Sequence, residues 1–357
     1  MKLNLGDRPR ILLIRRDNIG DLVCTTPLFD ALRSRYPQAY LAALANSYNA
    51  EVITGNPALD KVYVYTKAKH RAAGSSKLAV YWQTFHLIMQ LRREHFDIAI
   101  PVGGGWHRQA IKFARLAGAK QVLGFGPEDG KLAGVDVVIP YHRRETRHEV
   151  EDIFRLLEPL GISGQPGPLR IYPDTAALAA MKERFAPLAG RVVLGVHISA
   201  REANRRWPED KFIAALQQLC AQFPRLGIAL FWAPGAADDP RHPGDDELAV
   251  RMQQALAGLP VLPVPTGTLA ELIAALACTD LDLLSDGGAL HIAAALQKPL
   301  AALFENRVEK LTRWYPWATP HRMIAAPENA IAGISVADVV AATSALLIEH
   351  FPQARER

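Results

Sequence analysis

The chain has 357 residues, 49% of them hydrophobic and 22% charged, with 41 Lys+Arg against 36 Asp+Glu. That composition excludes a disordered or fibrous chain and supplies core material for two domains of ordinary size. The net charge of +5 is spread among acids, and no RNP, helix-turn-helix or zinc signature accompanies it. Nucleic acid is therefore not an expected partner, whereas an anionic substrate or membrane surface is.

Cys24, Cys220 and Cys278 are odd in number and far apart, so they read neither as a disulfide framework nor as a CxxC metal pair, and a reducing cytoplasm is the expected compartment. The start, "MKLNLGDRPRILLI", carries Asp7, Arg8 and Arg10 ahead of a short apolar run and is not expected to be a signal peptide. The longest uncharged stretch, "MQQALAGLPVLPVPTGTLA", is broken by three prolines and two glycines. It is not expected to span a bilayer.

Taken in order, the first half predicts a strand at "ILLI" (11–14), a helix at "PLFDALRSRYP" (27–37), and strands at "YLAALA" (40–45) and "KVYVY" (61–65). A helix at "YWQTFHLIMQLRREH" (81–95) follows, then strands at "FDIAIPV", "QVLGF" and "VDVVIP" and a helix at "RHEVEDIFRLLEPLG" (147–161). The Gly/Pro-rich "GISGQPGPLRIYPD" (161–174) reads as a linker. Beyond it come strands at "VVLGVH", "GIALFWA", "VLPV", "LDLLS" and "LAALF". Their helices are "PEDKFIAALQQLCAQFP", "TLAELIAALACTD" and an Ala-rich run after 287. This alternation predicts two α/β domains with parallel sheets and a cleft between them. We set the domains at 1–165 and 172–357, with a final helix, "SVADVVAATSALLIEHF", that can pack on either.

Three loops follow predicted strands, where open α/β sheets gather ligands. The first, "RRDNIGDLVCTTP" (15–27), offers Asp17 and Asp21 where glycines and amides would ordinarily receive a phosphate. In the second, "HISAREANRRWPEDKF" (197–212), Ser199, Arg201, Arg205 and Arg206 crowd a turn ahead of a helix start. Cations there oppose the helix dipole, which points to an anion such as a diphosphate; a solvated basic loop is the other reading. In the third, "LLSDGGALHIAAAL" (283–296), Asp286-Gly287-Gly288 opens a helix whose first amides could meet a phosphate, or forms a plain capped turn. His291 reads either as an interior helix histidine or as a ligand. The acid-free "KAKHRAAGSSK" (67–77) reads as a solvated loop or as a contact with phosphorylated lipid. No GxGxxG follows the first strand, "GPEDGK" falls short of a Walker loop, and "DLD" (280–282) begins an apolar strand rather than a metal motif.

With these loops in hand, the chain resembles glycosyltransferase family 9, the ADP-heptose:lipopolysaccharide heptosyltransferases. The carrying motifs are "ILLIRRDNIGDLVCTTPLFDALRSRYP", "RRWPEDKF" and "SDGGALHIAAALQKPLAALF", supported by "GWHRQAIKFARLAGAKQVLGF" and "RHEVEDIFRLLEPLGI". The resemblance implies a GT-B fold of two Rossmann-like domains, with the acceptor on the first and the nucleotide sugar on the second. It also implies an inverting transfer of heptose from ADP-L-glycero-D-manno-heptose to a hydroxyl of the lipopolysaccharide inner core. No metal and no cofactor besides the ADP-sugar substrate is expected, and the enzyme would be cytoplasmic, peripheral to the inner membrane.

Residue by residue, Asp21 matches the family's Gly-Asp position, proposed as catalytic base; its other reading is a helix cap. Asp17 matches no essential position and reads as a loop or capping residue. Ser199 matches a hydroxyl that contacts the donor, and Arg205 the basic residue ahead of Trp-Pro. Asp286 matches the acid holding the donor sugar, Gly287 and Gly288 the phosphate amides, and Glu247 the acid near the ribose, with His291 grouped beside them. Lys67, Lys69 and Arg71 are assigned to the acceptor. The chain departs from the family at Gly287, where a hydroxyl residue is common, and at "ENRVEKLTRWYPW" (305–317), where Gly-Pro-Thr is common. Two alternatives stay open: another nucleotide sugar or glycan, or a non-catalytic sugar-nucleotide binder.

Overall fold

Strands form where four to seven consecutive apolar residues can be buried on both faces at once, the pattern a parallel sheet demands. The computed structural model describes residues 3–66, 77–142, 147–239 and 244–356. The chain divides into two units, Met1–Tyr172 and Pro173–Arg357. The first unit runs β1 (Arg10–Ile14), α1 (Ile19–Val23), α2 (Thr26–Arg35), β2 (Tyr40–Asn46), β3 (Lys61–Tyr65), α3 (Lys77–Arg93), β4 (Ile98–Pro101), α4 (Arg108–Leu116), β5 (Gln121–Gly126), β6 (Val137–Pro140) and α5 (Glu149–Phe154). The second runs α6 (Thr175–Arg184), β7 (Val192–His197), α7 (Glu209–Gln222), β8 (Leu226–Trp232), α8 (Asp246–Ala255), β9 (Val261–Pro265), α9 (Leu269–Ala277), β10 (Leu281–Ser285), α10 (Gly288–Ala295), β11 (Leu300–Phe304), α11 (Val308–Arg313), β12 (His321–Ala325) and α12 (Val336–His350).

The first sheet is ordered β3-β2-β1-β4-β5-β6 and the second β12-β11-β10-β7-β8-β9, with each neighbouring pair parallel. Both are the doubly wound 3-2-1-4-5-6 order. Its direction reverses between the first and fourth strands of a unit, which opens a crevice at their carboxyl ends. The reversal lies between β1 and β4 in one unit and between β7 and β10 in the other. The α/β architecture of two Rossmann-like units expected from the sequence is thus present in both halves.

A repeated device sets the register. Asp60, Asp97, Asp136 and Asp280 each stand immediately before a strand, and each accepts the amide of the first or second residue of the neighbouring strand. The amides are those of Leu41 at 2.7 Å, Arg10 at 2.8 Å, Val122 at 2.7 Å and Val193 at 2.7 Å. "DLD" is explained by this: Asp280 is the clamp, and Asp282 is fully buried in β10.

Apolar residues of alternate strands meet the helices in two cores. One gathers Leu12, Ile14, Leu44, Tyr63 and Phe96 in the first unit; the other gathers Leu194, Val196, Leu216, Leu230, Leu283 and Leu347 in the second. Of the two positions open to the final helix, α12 packs within the second unit, with Val339, Leu346 and Leu347 in that core.

Several elements differ from the sequence expectation. The predicted helix at 147–161 is α-helical only over Glu149–Phe154 and continues as a 3-10 turn through Arg155–Leu160, where Pro159 cannot donate to an α-helical ladder. Pro208 occupies the N-cap of α7 rather than a helical position. Helices α1, α4, α6, α8 and α11 and the edge strand β12 were not expected. "HRMIA", the sequence of β12, has two charged or polar residues in five and only Ile324 buried in its strand.

Candidate functional site

In the first unit the site begins with a guanidinium. Arg15 follows β1 directly, and its side chain is 2% exposed. Its Nη2 donates to Asp21 Oδ1 at 2.6 Å and to Glu149 Oε1 at 2.9 Å, and its Nε lies 3.1 Å from Asp17 Oδ2. Burial would lower the Arg15 pKa, but Asp21, Glu149 and Asp17 outweigh it and raise it, so the cation is permanent. Glu149, itself 1% exposed, comes from the first turn of α5.

Asp21 lies on the short helix α1, where its carboxylate and the Asn18 side chain cap each other's backbone; Asn18 N donates to Asp21 Oδ2 at 3.1 Å. Asp21 is thus not the N-cap of the helix that follows, which is Thr25; it is the third residue of a capping box on α1, and that role coexists with the ion pair. Burial pushes the Asp21 carboxyl up, but Arg15 and the Asn18 hydrogen bonds hold it below the ordinary carboxylate range. Its side chain keeps 16% exposure, so the group is ionised and reachable. Asp17, expected to be a loop or capping residue, is instead an ion-pair partner of Arg15 and a wall of the adjacent crevice.

The loop between β1 and α1 is held from the end of β2 and the turn after it. Asn46 Nδ2 donates to the carbonyls of Arg16 and Asp17, and Asn49 Nδ2 to those of Asp17 and Asn18. Both asparagines are buried. Across the switch point a cavity of about 270 Å³ is lined by Arg16, Asp17, Val102, His107, Arg108, Gln109 and Ala110. Gly103 makes room for the His107 ring of that lining, since a Cβ there would sit 2.7 Å from it. Arg16 is steered by a 2.7 Å hydrogen bond to the Tyr65 hydroxyl and lies over the Tyr65 and Phe113 rings.

In the second unit, the loops after β7, β10 and β11 converge. Arg205 Nε donates to Glu305 Oε1 at 2.9 Å, and its Nη2 lies 3.7 Å from Asp286 Oδ2 and 3.3 Å from Glu202 Oε2. Lys310 Nζ is 3.0 Å from the same Asp286 oxygen. Asn204 Nδ2 donates to Glu305 at 2.7 Å, and the Glu305 carboxylate is fully buried. Burial would lower the Arg205 pKa; Asp286, Glu305 and Glu202 raise it past that loss. Two cations, 18% exposed each, thus stand over one nearly buried aspartate at the head of α10.

Of the residues singled out from sequence, Arg205 and Asp286 are brought together, with Gly287 at the N-cap and Gly288 at the first turn of α10 directly after them. The Ser199 hydroxyl accepts the Ala233 amide at 2.9 Å and retains its own proton to donate. His291 is buried and meets the Trp314 ring edge-on at 5.8 Å, the interior position the sequence left open. Glu247 is exposed in the first turn of α8. Arg206, grouped with the anion-facing cations, is instead tied to Asp245 at 2.7 Å and to the Ala200 carbonyl. Lys67, Lys69 and Arg71 lie outside the described residues. Among the described residues no three metal-ligating side chains converge.

Sequence reasoning missed Arg15, Glu149, Glu305 and Lys310. The last two belong to "ENRVEKLTRWYPW", noticed only as a departure. Their signal was a Lys and a Glu five residues apart after a predicted strand.

The family model described as glycosyltransferase family 9 (heptosyltransferase) matches residues 84–338. Among curated relatives, lipopolysaccharide heptosyltransferase 3 of Escherichia coli strain K12 is 26% identical, covering 94% of this chain and 97% of its own length. A second E. coli protein of that name is 24% identical over 84% of each chain. In fold, the chain is similar to the crystal structure of the glycosyl transferase family 9 from Veillonella parvula (TM-score 0.77, 19% identity, covering 98% of this chain and 99% of that one). It is likewise similar to E. coli ADP-heptose lps heptosyltransferase II (TM-score 0.71, 18% identity, 95% and 99%). With more than half its length matched by the family model, and with the two-unit Rossmann-like fold in place, the chain belongs to glycosyltransferase family 9, the heptosyltransferases, and is a glycosyltransferase.

Proposed function

We propose that this enzyme transfers heptose from ADP-L-glycero-D-manno-heptose to a sugar hydroxyl of the lipopolysaccharide inner core, in one inverting displacement. The observation that carries the reading is the convergence of Arg205, Lys310 and Asp286 beyond the strand ends of the second sheet. A nucleotide diphosphate leaving a sugar gathers negative charge, and two fixed cations at a helix N-terminus lower the energy of that charge. Asp286 orients both cations and offers its carboxylate to sugar hydroxyls. The names of the relatives supply the sugar and the glycan.

In this reading the acceptor oxygen attacks the anomeric carbon from the face opposite the diphosphate. The carbon–oxygen bond to phosphate breaks with its electron pair passing to ADP. The hydroxyl proton goes to the Asp21 carboxylate. A carboxylate held low by Arg15 is a weak base, but an alcohol sheds its proton late, once its oxygen has bonded to carbon and become strongly acidic. General-base help contributes about 10²–10⁴-fold in such steps. The enzyme works at the cytoplasmic face of the inner membrane as a peripheral protein. The absence of a membrane-crossing helix among the described residues is compatible with that.

The test measures ADP release from a panel of nucleotide sugars with inner-core acceptors. Wild type is expected to prefer ADP-heptose, and Asp21→Asn to lose at least about 10²-fold in kcat while donor binding, followed by calorimetry, is kept. Full turnover in Asp21→Asn removes the base role, and preference for another nucleotide sugar removes the donor assignment.

A further inference from the structure

Helix α3 is apolar on two opposite faces, and only one of them is covered. Leu87 and Leu91 are buried in the first unit's core with Tyr63 and Tyr65. On the other side Trp82 is 64% exposed, Phe85 51% and Met89 38%. At 3.6 residues per turn Trp82, Phe85, His86, Met89 and Arg93 share a stripe, with Arg92 at its border, about 10 Å long from Trp82 to Met89. The aromatic pair is stacked at 5.8 Å, and His86 meets Trp82 edge-on at 4.7 Å. Such a contiguous exposed patch on a helix marks a surface that meets something else.

Charge identifies the partner. Helix α3 carries Lys77, Arg92 and Arg93 and no acid, and the sequence from Lys61 to Arg93 holds seven Lys or Arg without one Asp or Glu. Among the described residues the stripe ends in the exposed Arg92 and Arg93, while Glu94 behind them is engaged by Arg10 and Tyr63; an aromatic stripe ending in cations is what an anionic bilayer surface selects. The edge position of β3 in the first sheet, beneath α3, leaves this helix at the margin of the unit rather than under a second layer. We infer that the outer face of α3 is a membrane-docking surface, lying in the plane of an anionic lipid headgroup layer with Trp82, Phe85 and Met89 inserted and Arg92 and Arg93 on phosphates. This names the surface used by the peripheral association proposed above and rests on that part of the reading, not on the transfer chemistry.

The experiment is co-flotation of the full chain with vesicles of phosphatidylethanolamine containing about 30% phosphatidylglycerol as the anionic lipid, compared with neutral phosphatidylcholine vesicles. Wild type is expected to bind the anionic vesicles, with affinity falling as salt rises. Trp82→Ser with Phe85→Ser and Met89→Ser should bind at least about 10-fold more weakly. Arg92→Gln with Arg93→Gln should lose about fivefold per charge. Circular dichroism and ADP release on a soluble acceptor serve as folding controls, since these side chains face outward. Unchanged vesicle binding in the triple variant overturns the assignment of this face while leaving peripheral association intact. No vesicle binding by wild type overturns both. A wild-type dimer in ultracentrifugation that the triple variant abolishes, with vesicle binding unaltered, assigns the patch to a second copy instead and overturns the proposal.

Discussion

Replacing Arg15 with methionine keeps much of the apolar stem but removes a guanidinium that meets three carboxylates, at 2.6, 2.9 and 3.1 Å. The deficit comes chiefly from Glu149, whose side chain is 1% exposed and cannot turn to water. Removing one member of such a buried pair costs about 3–5 kcal/mol, because the remaining charge stays desolvated. Removing both members takes that charge away, so Arg15→Met with Glu149→Leu should recover at least about 2 kcal/mol of the loss. Urea unfolding at pH 7, with the slope checked between variants, measures both. The pH dependence follows from Asp21. Its folded pKa is below its unfolded value of about 3.9, so its contribution is complete above that value and is lost as pH falls through the folded one. The gap between wild type and Arg15→Met should therefore narrow as pH is lowered toward 3. A deficit under about 1 kcal/mol, a double variant no more stable than the single one, or a gap that does not change with pH would each refute the reasoning.

Asp282, fully buried, has its carboxyl pushed up to about 8 by burial, against smaller opposing effects of Thr279 and Lys298. Between about pH 4 and 8 the folded state holds a proton that the unfolded chain has released, so stability should fall by up to about 1.4 kcal/mol per pH unit from this group as pH rises. Asp282→Asn should remove that slope in urea titrations across this range. Gly195 stands opposite Asp282 in the register, and a Cβ there would come within 2.0 Å of its Oδ1 and 2.8 Å of Phe231 and Thr279. Gly195→Ala is expected to cost about 1–3 kcal/mol or more, read as a lower Tm. Lys310→Ala should lower kcat/KM with the nucleotide sugar by about 10–10³-fold while leaving Tm nearly unchanged; an unaltered kcat/KM would remove Lys310 from the donor site.

Local order in this chain was legible because its causes are local. Runs such as "ILLI", "VVLGVH" and "LDLLS" become strands since they can be buried on both faces, and their alternation with helices implied a doubly wound sheet in each half. The three motif loops do follow strands β1, β7 and β10, because the change from an apolar run to polar residues that ends a strand is itself local. The sequence could not give the partners. Glu149 reaches Arg15 across 134 positions, and Asn46 and Asn49 fasten a loop about thirty residues earlier. Lys310 meets Asp286 only because the crossover through α10 and β11 returns the chain to the same end of the sheet. Charge pairing acts through space and leaves no period in the sequence. For the same reason Arg206, grouped with Arg205 in one basic turn, is committed to Asp245. Helix α3 shows the limit most plainly. Its residues are apolar around most of its circumference, so the sequence specified a helix, and only packing against β3 decided which face was covered and which was left to the outside.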